Sequence, residues 1–134
     1  MINMMNNILY SNFVIITELN GNQYPAIFIG NKAYEMLGNL ARGHMSKSEG
    51  VKKELLGIKD VLKGNKEVHS FGGDDWCIVD FKKENSTIIN GFDGFEPYEI
   101  QSQAILNLLE DWYKFLLVYE NGEIPGIIHS SKRI

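Results

Sequence analysis

The side chains able to do chemistry are few and widely spread. The three histidines, His44, His69 and His129, are scattered, and none pairs with a cysteine or carboxylate at ligand spacing. A structural zinc site needs four Cys/His ligands in short-spaced pairs. One cysteine, Cys77, and no close histidine pair argue against such a site. Cys77 falls in a predicted strand beside Trp76, where a free cysteine serves as a small core residue. A competing reading makes Cys77 a nucleophile with His69 as its base, brought across from a neighbouring strand. With the acid pair Asp74 and Asp75 these residues define the small-enzyme alternative. The acids sit in Gly72-Gly73-Asp74-Asp75. Adjacent carboxylates in a loop can ligate Mg²⁺ or Ca²⁺, but no calcium-loop pattern follows, and a hairpin turn is the natural home of Gly and Asp. Gly21-Asn22 and Gly30-Asn31 lack the spacing and the lysine of a phosphate-cradling loop. The residues therefore assign no catalytic group, no metal and no cofactor.

The elements that must position these residues belong to one domain. With 134 residues, 44% of them apolar and 22% charged, the chain can bury a core of its own, which excludes global disorder. A single cysteine permits no internal disulfide and fits a reducing compartment. Phe13–Ile16 is too short for a signal-peptide core. The apolar run Phe115–Tyr119 is far short of the ~20 residues that cross a bilayer. The expectation is a cytoplasmic protein that does not enter membranes.

Phe13-Val14-Ile15-Ile16-Thr17, within Ile8–Leu19, is a β-branched run that favours a strand. Asn20-Gly21-Asn22 marks a turn, and Tyr24–Ile29 reads as the second strand of a hairpin, with Pro25 at a strand start or on an edge. Asn31 can cap a short helix over Lys32–Leu40. A clearer helix follows, capped by Ser46 or Ser48, with Val51, Leu55, Ile58 and Leu62 on one face, Lys52, Lys53, Lys59 and Lys63 on the other, and Gly64-Asn65 at its end. Glu49, Glu54 and Asp60 interrupt its lysines, so it reads as a solvated face and not as a nucleic-acid stripe. Lys66–Asn90 reads as a β-meander: Glu67–Phe71, Trp76–Phe81 and Thr87–Ile89. After the loop Gly91–Glu96 comes the longest helix. Pro97 suits its first position, and Glu96 and Glu99 complement its dipole. Ile105, Leu108, Leu109, Trp112, Phe115, Leu116 and Tyr119 form its apolar face, and Asn121-Gly122 stops it. A competing reading folds Phe115–Tyr119 and Glu123–Ile128 into a hairpin around Asn121-Gly122. The fold class is α+β: an antiparallel sheet, made of the N-terminal hairpin and the central meander, packed against two or three helices, the longest near the C-terminus.

The formal charge of −4 hides an asymmetry. Residues 1–66 hold five acids and eight bases, whereas residues 67–123 hold twelve acids and three bases. So acidic a block repels nucleic acid and anionic lipid and attracts a basic partner. Carboxylates steer such an encounter while aromatic side chains anchor its centre. Trp112, Phe81 and Phe115 are assigned to the core. Asp74, Asp75, Phe92, Asp93, Phe95, Glu96, Tyr98 and Glu99 are the candidate partner-binding residues.

The layout of residues 66–126 resembles the small bacterial immunity proteins that neutralise polymorphic or contact-dependent growth-inhibition toxins. The likeness lies in a short meander with a buried-looking Trp, a long Trp-containing helix (Ala104 to Leu116) and the segment Ile124-Pro125-Gly126. It implies a non-enzymatic inhibitor that binds a cognate toxin, often a basic nuclease, by protein–protein contact. A third reading is a general interaction or ligand-binding module, or a homo-oligomer formed through an edge strand of the first hairpin.

Overall fold

The computed structural model describes residues 8–29, 45–73, 77–90, 97–123 and 128–133. The elements run β1 (Ile8–Thr17), β2 (Gln23–Ile29), α1 (Ser48–Leu62), β3 (His69–Gly73), β4 (Cys77–Phe81), β5 (Asn85–Asn90), β6 (Tyr98–Gln101), α2 (Ser102–Glu120) and β7 (Ile128–Arg133). The class is α+β, with two helices among the described residues, the longer one towards the C-terminus. The hairpin and the meander lie in separate antiparallel sheets, ordered β2-β1-β7 and β3-β4-β5-β6. The helix expected over 32–40 lies outside the described residues.

The hairpin turns as its sequence dictates. The Asn20 side chain accepts from the backbone N–H of Asn22 at 2.9 Å, and Glu18 and Asn22 close the turn through main-chain bonds. Pro25 sits in β2, which among the described residues is an outer strand of its sheet, paired with β1 at Ile15. The last strand, β7, was not expected. It pairs with β1 from Ile8↔Arg133 to Phe13↔Ile128, which makes β1 the centre of its sheet.

The core joins both sheets through the helices. Phe13 of β1 meets Trp112 and Phe115 edge-on, with ring centroids at 5.9 and 5.6 Å. All three rings are buried, as is Phe81. The Trp112 indole N–H donates to the Met45 carbonyl at 2.8 Å, so burying this ring leaves no donor unsatisfied. The helix reading of Phe115–Tyr119 holds over the hairpin. α2 continues to Glu120, and Gly122, at φ +81°, accepts the left-handed conformation that ends it.

Four expectations change. Pro97 and Glu99 do not open a helix: Tyr98–Gln101 pairs with β5 instead, and α2 begins at Ser102. The period-2 pattern of Tyr98 and Ile100 prevails because it completes the ladder. The Ser102 N–H then donates to the Glu84 carbonyl at 2.9 Å, which satisfies the helix's first donor. Neither Ser46 nor Ser48 caps α1. The Glu120 carboxylate does so from the far end of α2, accepting from the Ser48 N–H at 2.8 Å and from the Ser48 hydroxyl. Val61, not Leu62, completes the buried stripe of α1. The meander strands run Cys77–Phe81 and Asn85–Asn90, and β3 lies two residues further along than Glu67–Phe71, because the His69↔Phe81 register puts Phe71 in the core.

Candidate partner-binding face

The register of the four-stranded sheet divides its side chains into two sets. On one side Phe71, Val79, Ile88 and Tyr98 make a row across all four strands, and Phe81 and Ile100 lie beside it. These apolar residues belong to the core, with Tyr98 half-buried against it. One residue along, the row Ser70–Asp80–Thr87–Glu99 faces the other way, and Gly72–Ile78–Ile89 runs next to it. Burial along β4 alternates accordingly, with Ile78 exposed and Asp80 half-buried between fully buried neighbours. This second side is less buried: Ser70 and Ile78 are exposed, and Gly72, Asp80, Thr87, Ile89 and Glu99 are half-buried. Ser70 donates to the Asp80 carboxylate at 2.6 Å, which holds that group across the β3–β4 pair.

The candidate binding residues are distributed unevenly around this sheet. Glu99 lies in the less buried row beside Thr87, whereas Tyr98 faces the core side. Asp74, Asp75, Phe92, Asp93, Phe95 and Glu96 lie outside the described residues. The strand ends that flank them are neighbours: Gly73 pairs with Cys77, and Cys77 with Asn90. Both segments therefore start from the same end of the sheet. Asp80, which is not among the candidate residues, shares this row with Glu99. Glu84 does not: it lies in the β4–β5 connection, at the opposite end.

The geometry separates the residues of the small-enzyme reading. His69 pairs with Phe81 and Cys77 with Gly73, four positions apart along β3 or about 13 Å. Burial pushes the Cys77 thiol up to about 11, so it stays protonated at neutral pH, and the thiol is not the reactive form. Asp74 and Asp75 lie outside the described residues.

His69 does have a carboxylate partner, contrary to the sequence reading. Its Nε2 lies 2.9 Å from Oε1 of Glu54, and its Nδ1 lies 3.1 Å from Nζ of Lys66. An ammonium can only donate, so Nδ1 accepts, and Nε2 carries the proton shared with Glu54. The imidazole rests on Gly57 of α1: a Cβ there would come 2.2 Å from the ring. Glu54, expected among the solvated charges of α1, is buried. The pair is fifteen residues apart in sequence, and only the packing of α1 on β3 brings it together. No spacing rule would have found it. With both nitrogens occupied, the group ties a helix to a strand.

A second polar junction, at the start of α2, is closed in the same way. The Ser86 and Ser102 hydroxyls lie 2.6 Å apart, and Ser102 also donates to the Lys82 carbonyl. An open cleft of about 300 Å³ lies above it, and another of about 460 Å³ lies between the hairpin and the end of α2. Neither is lined by a histidine or a cysteine. Among the described residues no group of three or more His, Cys, Asp or Glu side chains is placed to hold a metal ion, and no helix is long and apolar enough to cross a membrane. Comparison with protein-family models, with curated proteins and with solved structures finds no match to this chain.

Proposed function

We propose that this protein is a binding protein that neutralises a basic partner, in the manner of the immunity proteins that its sequence resembles. The observation that carries the reading is the asymmetry of the four-stranded sheet: one side is packed with buried apolar residues, and the less buried side bears the carboxylate of Asp80, held by the Ser70 hydroxyl. Such a surface favours a positively charged partner and steers its approach. The chemistry of His69 and Cys77 supports the same reading: one is held between Glu54 and Lys66, and the other is a buried thiol. The partner is a toxin domain, a basic nuclease being the expected kind, and the protein acts by contact, without turnover.

Co-expression with the domain encoded by the adjacent open reading frame tests this. The expected result is a complex that survives purification at low salt, weakens as salt is raised, and abolishes the toxicity of the domain. A toxic domain that stays active and unbound in the presence of this protein overturns the reading.

A further inference from the structure

Two residues at one end of the molecule stand where stability alone does not favour them. The first is Leu19, in the turn of the β1–β2 hairpin. The Gly21 N–H donates to the Glu18 carbonyl at 2.9 Å, the Glu18 N–H donates to the Asn22 carbonyl at 2.8 Å, and Gly21 takes the left-handed conformation at φ +87°. The tip is therefore a defined turn with Leu19 at its corner, the most exposed of the large apolar side chains among the described residues. Turns favour Gly, Asn, Asp or Ser, and an apolar side chain there gains nothing from the turn or from the core. The second is Glu123, whose N–H donates to the Val118 carbonyl just past the end of α2. The carbonyl end of a helix disfavours a carboxylate beside it, and no basic residue lies in the last turn of α2 to offset it. Glu123 lines the cleft of about 460 Å³, and Thr17 and Gln23, at the base of the hairpin turn, form the facing wall. The Tyr119 hydroxyl donates to the Gln23 carbonyl at 3.2 Å, and the Gln23 side-chain amide to the Thr17 hydroxyl at 3.3 Å, so the two walls are tied together. Glu120 also lines the cleft but is occupied as the cap of Ser48. Glu18 and Glu123 are exposed, and neither carboxylate meets a hydrogen-bond donor or a cation among the described residues.

We infer that this end of the molecule docks a basic protein surface, with Leu19 seated in an apolar pocket of that surface and one of its lysine or arginine side chains filling the cleft. The inference rests on the proposed function and adds to it a contact outside the four-stranded sheet. The cleft suits a long cationic side chain: Ile15 and Tyr119 receive its methylene stem, and its head meets Glu123 and the carbonyl end of α2. Among the described residues no lysine or arginine lines the cleft, so its charge is not cancelled from within the chain. An apolar contact beside a charge pair is the usual anatomy of a specific interface. A phosphate backbone or an anionic lipid surface meets repulsion from Glu18 and Glu123.

The test uses calorimetry with the purified, inactivated domain encoded by the adjacent open reading frame, and light scattering of the protein alone. The variants are L19S, E123K and L19S/E123K. Both positions are exposed, and thermal melts establish that each variant folds. K53E on the exposed side of α1 is the control. The inference expects L19S and E123K each to weaken binding by about 10-fold or more, the double variant by about 100-fold or more, and K53E by no more than about threefold. E123K should also make binding less sensitive to salt, which L19S should not. A wild-type complex that folded L19S and E123K both leave within about threefold overturns the inference, while the proposed function stands. A protein that is a dimer on its own, and that L19S and E123K turn into a monomer, overturns it as well, because a second copy then covers this end. If the wild-type protein neither binds nor neutralises the domain, the function falls and this inference with it.

Discussion

The two sides of the four-stranded sheet are made from the same strands and differ by one residue of register. Phe71, Val79 and Ile88 point under the helices, while Ser70, Asp80 and Thr87 point the other way, Ser70 exposed and the other two half-buried. Successive strand residues face opposite ways, so a slip of one position would exchange core and surface completely. The comparison separates two kinds of constraint. The covered side is set by volume and close packing. The less buried side is freer of that demand, so its residue types report on what the surface contacts.

The largest effect should come from emptying the covered side. Phe81 is fully buried, and Phe81→Ala should cost about 3–5 kcal/mol in urea unfolding. Its failure to do so would mean that the two sides are not energetically distinct. Next is Gly57→Ala. In an exposed helix this change stabilises by about 1 kcal/mol, but here the new methyl meets the His69 ring, and a net loss of about 1–3 kcal/mol is expected. In a His69→Ala background the sign should reverse, and a loss that persists there would show that the ring is not the obstacle. On the less buried side, Ile78→Ala should change stability by less than about 1 kcal/mol, since its side chain already meets water. The last effect is alkaline. The folded Cys77 thiol holds its proton up to about 11, above its ordinary value of 9.0. Between those values the unfolded chain gives up a proton that the native one keeps. Stability should therefore fall as pH rises through that window, and less so in Cys77→Ala, by chemical denaturation at each pH.

Much of this architecture was legible in local pattern. The apolar stripe of α2, the Asn20-Gly21 turn and the alternation of β4 name their elements, because each burial period is carried by residues close in sequence. The start of α2 was misread because a proline and two acids make a plausible first turn, and nothing local says that Tyr98–Gln101 has a strand waiting for it at Asn85–Ile88. The Glu54–His69 pair and the Glu120 cap on α1 escaped for a related reason: each joins residues that only the tertiary fold brings together. Of the candidate site, Glu99 lies on the less buried side and Tyr98 on the covered one, and Asp80 joins Glu99. A list of charged and aromatic residues carries no register, so sequence cannot sort them by side.

The pairing of β1 with β7 bears on how the protein is made. Residues 8–17 emerge from the ribosome early and find β2 at once, but the other edge of β1 waits until residues 128–133 have been synthesised. Through that interval a line of main-chain donors and acceptors stays unsatisfied, and such an edge is a template for a strand from another chain. The β7 segment of a neighbouring nascent chain fits it as well as the chain's own. Strand exchange between copies is the error to which this pairing is exposed until β7 is in place.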